Sequence, residues 1–221
     1  MLFAAGLGTR MAPLTDHCPK PLIKVAGRAL IDHALDQMPD MDQTVVNLHY
    51  LSDQIRAHLS GRKKIAFSPE IDTILETGGG LLQALPLLGV DPIFTLNSDA
   101  VWTGPLASDQ LRQSWDPARM DGLLLLVDPA RAVGHSGAGD FLIDGQGRLT
   151  RGTGLIYSGA GIIRTDGLFE ITERAFSLNR LWDAMMAKGR LFGICHQGGW
   201  CDVGRPESLP LAEAMLGHGH V

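Results

Sequence analysis

Short apolar runs alternate with stretches of helical spacing from Leu2 to Val127, and this alternation constrains the fold more than any other feature of the chain. Leu2–Ala5 reads as a buried strand running straight into Gly6. Residues 28–38 place Leu30, Ile31, Ala34, Leu35 and Met38 at helical spacing, with Pro39 as a stop. Thr44–Leu48 reads as a strand, 51–59 as a short amphipathic helix and 64–67 as another strand. A helix over 79–88 is expected to follow a glycine turn and to end at Pro86. Ile93–Leu96 reads as a buried strand, 106–115 as a helix and Leu123–Val127 as a fully buried strand. Strands alternating with helices in this way imply a parallel sheet with helices on both faces.

The rhythm changes after residue 128. Residues 139–163 hold short glycine-rich apolar runs around a hairpin-type turn at Asp144–Gly147, an antiparallel or mixed extension of the sheet. Helical stretches over 167–188, a strand at Leu191–Cys195 and a last helix from Pro206 to Gly217 complete the chain. The expected class is therefore α/β: a Rossmann-like, mixed, mostly parallel sheet flanked by helices, in a single domain over 1–221. Leu2–Ala5 is short for a central strand, as if trimmed at its start. The closing His218-Gly219-His220 reads as a tail without metal.

Composition narrows the classes of function. A chain of 221 residues buries a core without staples, and its net charge of −5 argues against a general nucleic-acid binder. Three cysteines, Cys18, Cys195 and Cys201, show no zinc-type spacing and read as reduced thiols. No apolar run approaches the roughly 18 residues of a membrane span, and the first residues lack a secretory pattern. The expected location is the cytoplasm, with no membrane and no nucleic acid as partner.

Glycine is the outlier, at 27 residues gathered in clusters. The first cluster lies in AAGLGTRMAPLT, residues 4–15. A strand feeding a glycine loop offers backbone N–H groups to phosphate, and Arg10 can fork onto phosphate oxygens. The third glycine of a dinucleotide fingerprint is replaced by Met11, and the Gly-Lys-Ser/Thr of a P-loop is absent. Lys20 stands between Pro19 and Pro21, which stiffen its backbone. Glu76-Thr77-Gly78-Gly79-Gly80 reads as a loop that a ligand approaches closely. Asn97-Ser98-Asp99 ends a buried strand, where ligands of open α/β sheets sit. Asp202, in Trp200-Cys201-Asp202-Val203-Gly204, would join Asp99 as a magnesium ligand.

These motifs, in this order and across nearly the whole chain, resemble the sugar-1-phosphate nucleotidylyltransferase family. The match runs through GLGTR-M-x-P-L-T, PKP, ETGGG, N-x-D and W-x-D-V-G. Within it, the compact length, LETGGG, ALPLLG, GDF at Gly139–Phe141 and Ser158-Gly159 are similar to the N-acetylmuramate-1-phosphate uridylyltransferases. Short mannose-1-phosphate guanylyltransferases are the alternative, and a non-catalytic nucleotide-sugar sensor is a further one. The resemblance implies a fold of the nucleotide-diphospho-sugar transferase type, with 1–128 as the nucleotide half and 129–221 as the sugar half. It implies an NTP (UTP expected) and a sugar 1-phosphate as substrates and Mg²⁺ as cofactor. By resemblance Ala5, Gly6, Gly8, Thr9, Arg10 and Lys20 hold the triphosphate, with Arg10 and Lys20 catalytic. Glu76, Thr77, Gly78 and Gly79 line the base pocket. Asn97, Gly139, Asp140 and Ser158 face the sugar, and Asp99 and Asp202 bind the metal. Helix-rich surfaces over 167–216 are compatible with a homodimer. Ser98 and Arg205 depart from the family's usual residues. His33, His49, His58 and His135, and the packed face of Trp182, Met185 and Met186, read as structural.

Overall fold

Gly122–Val127 forms a strand in which all six residues are buried. Leu123, Leu125 and Val127 enter one hydrophobic cluster, whereas Leu124 and Leu126 enter a second. Period-two alternation therefore places core on both faces of the sheet to which this strand belongs. The computed structural model describes residues 1–89 and 92–218. The tail from Gly219 onward lies outside the described residues.

The central sheet has seven strands, in the order Leu191–Cys195, Gly122–Val127, Ile156–Ile163, Ile93–Asn97, Leu2–Phe3, Thr44–Leu48, Ile65–Pro69. Only Ile156–Ile163 runs antiparallel to its neighbours. It slots between two strands of the first half, so the mixed character expected of residues 139–163 reaches the middle of the sheet. A register shift between Tyr157 and Ala160 bends it beside Asn97. The turn at Asp144–Gly147 joins the expected hairpin, Phe141–Ile143 against Leu149–Arg151.

Among the described residues there are six α-helices: α1 Leu30–Asp36, α2 Ser52–Leu59, α3 Glu76–Leu88, α4 Ala107–Ser114 and α5 Asn179–Ala187 around the sheet, and α6 Ser208–His218, which packs against Trp200–Asp202 outside it. α1 begins at Leu30 rather than residue 28, because Arg28–Ala29 pairs with Lys24–Val25 in a hairpin. α3 carries Pro86 inside its last turn and continues to Leu88. The stretch 167–188 is less helical than its periodicity suggests, with a 3₁₀ turn at Asp166–Glu170 and then α5. The chain between them crosses the start of α3, where Phe176 accepts from Gly78 N–H at 2.8 Å. Among the described residues no helix is long and apolar enough to cross a membrane.

A second, three-stranded sheet fixes the site. Ala100–Trp102 pairs antiparallel with Trp200–Asp202, which pairs parallel with Ala132–Val133. A segment near the end of the chain is thereby locked beside the carboxyl end of Ile93–Asn97.

Candidate functional site

Four strands of the sheet, Leu2–Phe3, Thr44–Leu48, Ile65–Pro69 and Ile93–Asn97, deliver their carboxyl ends to one region. Three are tied by a buried polar relay. Ala4 N–H donates to Asn47 Oδ1 at 2.8 Å, and Asn47 Nδ2 donates to Glu70 Oε1 at 2.7 Å. Glu70 Oε2 accepts from Leu75 N–H at 2.7 Å, immediately before α3. Buried polar groups satisfied in this way make a rigid floor.

The glycine loop rises from that floor. Gly6 faces open space, with nothing within 4 Å of a Cβ built on it. Gly8 adopts φ +66, and its own Cβ would press on Thr15 Cγ2 and Lys20 Cβ, each at 2.9 Å. Thr15 Oγ1 donates to Gly8 O at 3.0 Å and closes the loop. Thr9 and Arg10 follow on an exposed 3₁₀ turn. Lys20 opens a second 3₁₀ turn behind Pro19.

A cavity of about 220 Å³ is lined by Ala5, Gly6, Lys20, Glu76, Thr77, Asn97 and Asp99 from the expected set. Phe3, Asn47 and Glu70 line it as well. Glu76 holds the left-handed conformation, φ +59, at its edge. Such backbone is uncommon for a non-glycine residue and concentrates at ligand sites.

Lys20 Nζ stands 2.8 Å from Asp99 Oδ2. Val203 N–H donates to Asp99 O at 2.9 Å, and Asp202 is paired with Ala100, so the two aspartates sit on adjoining backbones. Burial and then the charge of Asp99 push the Asp202 carboxyl above its usual range, while Lys20, Arg10 and His135 pull it back. His135 Nδ1 lies 3.7 Å from Asp202 Oδ2. A Cβ built on Gly204 would lie 3.1 Å from Asp202 Oδ1 and 3.5 Å from Arg10 Nη1, which puts that guanidinium beside the carboxylate. Arg10, His135, Asp202 and Arg205 line an open groove of about 820 Å³. Two carboxylates whose charges oppose each other fit a divalent cation. Among the described residues no group of three or more His, Cys, Asp or Glu gathers. A cation on Asp99 and Asp202 would complete its shell with phosphate and water oxygens, the habit of Mg²⁺.

A second cavity, of about 240 Å³, shares Phe3, Thr77 and Asn97 with the first. Asp140, Arg151, Tyr157 and Trp182 line its far side. Asp140 Oδ2 accepts from Tyr157 N–H at 2.8 Å. Burial drives the Tyr157 phenol well above its ordinary value, so it stays protonated.

Several expected residues do other work. Gly78, Gly79 and Gly80 form no loop: they are the buried first turn of α3. A Cβ on Gly78 would overlap the Phe176 ring, one on Gly79 would overlap the Arg174 carbonyl, and one on Gly80 would lie 2.7 Å from Glu70 Oε1. The first two N–H groups bond Phe176 O, so these glycines serve close packing rather than ligand approach. Gly139, at φ +95, lies against the backbone of Gly154. Ser158 is 2% exposed, and its hydroxyl donates to Leu125 O at 2.6 Å. Neither Gly139 nor Ser158 is among the residues lining the two cavities. Ser98 has a structural reason too, as its Oγ donates to Phe3 O at 2.6 Å.

Asn47, Glu70, Arg151 and Tyr157 escape the motif-based reading. Two carried a signal. Asn47 is an amide inside a fully buried strand, and Glu70 directly follows a strand's carboxyl end. Arg151 depends on a hairpin packing over α5 and Tyr157 on the insertion of Ile156–Ile163 into the central sheet, neither of which a local pattern announces.

The assembly suits a polyanion. Backbone N–H groups, Arg10 and Lys20 face the region where Asp99 and Asp202 can hold a cation. Among the described residues no hydroxyl or thiol nucleophile paired with a base stands there, and the chemistry the arrangement suits is the alignment of two anionic reactants.

Residues 1–135 match the MobA-like NTP transferase domain. The chain is 39% identical over 231 residues to the N-acetylmuramate alpha-1-phosphate uridylyltransferase of Caulobacter vibrioides, covering 98% of this chain and 96% of that protein. It is 37% identical over 230 residues to the protein of the same name from Neisseria meningitidis serogroup B, covering 98% and 97%. In fold it is similar to a UDP-glucose pyrophosphorylase crystallised with UDP-glucose, with a TM-score of 0.80 at 14% identity over 98% of this chain and 97% of that one.

Proposed function

The chain belongs to the MobA-like NTP transferase family, and on that premise we propose that it transfers a uridylyl group from UTP to N-acetylmuramate 1-phosphate, releasing pyrophosphate. The observation that carries the proposal is the joining of Asp99 and Asp202 by the three-stranded sheet, with Lys20 beside Asp99 in the glycine-loop cavity and Arg10 beside Asp202 in the open groove.

The nucleophile arrives with the substrate. An oxygen of the sugar phosphate forms a bond to the α-phosphorus, the α–β phosphoanhydride bond breaks, and pyrophosphate leaves with the electron pair. That oxygen is already anionic, so no protein base is required. The obstacle is the repulsion of two polyanions and their in-line alignment. Gly6 and the loop's N–H groups cradle phosphate. Lys20 lies where it offsets charge at the α-phosphate or the sugar phosphate, and Arg10 is placed for the outer phosphates. Asp99 and Asp202 would hold Mg²⁺, which supplies charge neutralisation on the triphosphate when bound. Glu76 and Thr77 border the base, and Asn97 and Asp140 border the sugar. Residues 1–128 thus carry most of the nucleotide side and 129–221 most of the sugar side, within one domain, with Asn97 and Asp202 crossing that division. Such substrates belong to the cytoplasm, in the recycling of cell-wall sugar.

Pyrophosphate release with Mg²⁺, over four NTPs and the 1-phosphates of N-acetylmuramate, N-acetylglucosamine, mannose and glucose, tests the proposal. Turnover confined to UTP with N-acetylmuramate 1-phosphate is expected. Preference for GTP with mannose 1-phosphate would keep the reaction and overturn the substrates. Silence from the folded protein over the whole grid would overturn the enzyme.

A further inference from the structure

The second cavity contains two charged lining residues, Asp140 and Arg151. Asp140 is turned onto the backbone of Tyr157. Arg151 is held like a fixture. Its Cζ lies 4.7 Å from the centroid of the fully buried Phe141 ring and 6.0 Å from that of Trp182. Its Nε and Nη2 donate to Asp183 Oδ1 at 3.0 and 2.8 Å, and Nη2 also donates to Asn179 Oδ1 at 2.8 Å. Those bonds leave Nη1 without a protein acceptor among the described residues. A guanidinium stacked on aromatic faces and tethered on one edge loses little freedom when its other edge binds an anion.

We propose that Arg151 forms a carboxylate subsite, reading an acidic substituent carried by the sugar 1-phosphate. The inference rests on the nucleotidyl-transfer reaction above and assigns the feature that separates one sugar from another. N-acetylmuramate differs from N-acetylglucosamine by a lactyl ether ending in a carboxylate. A neutral sugar gives the Arg151 fork nothing to bind. A charge-assisted hydrogen bond to a fixed guanidinium discriminates more strongly than an added apolar group would. Asn97, which borders both cavities and is assigned to the sugar above, puts the subsite on the same substrate as the attacking phosphate.

The test compares N-acetylmuramate 1-phosphate, its lactyl methyl ester and N-acetylglucosamine 1-phosphate, with UTP, on the full-length wild type and Arg151→Gln. In wild type, kcat/KM for the acid should exceed that for the ester by about tenfold or more. In R151Q the acid should fall to the level of the ester, while N-acetylglucosamine 1-phosphate and the KM for UTP stay within about twofold. Arg151→Lys should recover part of the loss. Equal rates for acid and ester in wild type overturn the subsite without any variant, so a misfolded R151Q does not shield it. An equal loss on all three sugars in R151Q also overturns it. Turnover of the neutral sugar alone overturns the subsite and leaves nucleotidyl transfer standing. Silence on all three overturns the reaction and the subsite with it.

Discussion

Lys20 reaches across 79 positions of the chain to place its ammonium 2.8 Å from the carboxylate of Asp99. The lysine comes from a proline-braced turn and the aspartate from the end of a central strand, so neither can drift from the other. Lys20→Met is expected to lower kcat/KM by about 10²–10³-fold, the usual scale for losing one preorganised electrostatic contact. Lys20→Arg should recover little, since a planar fork does not substitute for a point charge at this distance. Initial rates at saturating UTP measure it, and near-wild-type turnover in the methionine variant would remove Lys20 from the chemistry.

Asp202 carries a cost that the proposed role in holding a cation explains. Burial and the neighbouring Asp99 raise its carboxyl pKa, so the charged form is disfavoured in the fold. Near neutral pH, Asp202→Asn should therefore raise the metal-free melting temperature by about 2 °C. The same variant should lose about a hundredfold or more in kcat. Calorimetry and pyrophosphate release on one preparation read both effects. A lowered melting temperature would show that Asp202 is structural.

Two glycine substitutions should separate ligand approach from packing. Gly79→Ala drives a methyl group into the Arg174 carbonyl and should destabilise the fold by about 1–3 kcal/mol. Gly6→Ala meets nothing within 4 Å, so its melting temperature should hold while KM for the NTP rises. Denaturant titration beside steady-state kinetics checks the pair, and a shared phenotype would contradict it.

A histidine away from the site is expected to make the fold sensitive to acid. His196 is 3% exposed, with Nε2 3.1 Å from Thr103 O and Nδ1 2.9 Å from Gln110 Nε2. Gln110 Oε1 accepts from Gln197 N–H at 3.0 Å, so its NH₂ must face the ring, which is then the neutral Nε2–H tautomer. Burial lowers the pKa from its ordinary 6.5. Below 6.5 the unfolded chain takes up the proton first, so this contribution is complete above that pH and is lost as pH falls through the lower folded value. Melting temperature should decline from pH 7 to pH 5, and His196→Gln should flatten part of the slope. An unchanged slope would assign the acid sensitivity elsewhere.

The sequence made visible what depends on neighbours in the chain. Ile93–Asn97 and Leu123–Val127 are apolar and β-branched or leucine-rich enough to announce buried strands, and Asp99 follows from the first of them. Lys20 was legible because two prolines flank it. The glycines at 78–80 misled, because a glycine run beside a distant crossing segment looks the same as one beside a ligand. What distinguishes them is the path of Arg174–Phe176, fixed only by the fold. Ser158 misled in a similar way: only the register shift turns its hydroxyl onto Leu125. Asn47 and Glu70 needed the pairing of parallel strands to show that they meet.

The strand Trp200–Asp202 lies late in the chain, and the family match over residues 1–135 ends well before it. Synthesis runs in the same direction. A nascent chain that has just released Val127 already owns the glycine loop, Lys20 and Asp99, yet its second carboxylate is still unmade. Ala100–Trp102 then has an open edge where its antiparallel partner will dock. Under the proposed function, the residues for the nucleotide are thus made early and the second carboxylate for its cation late.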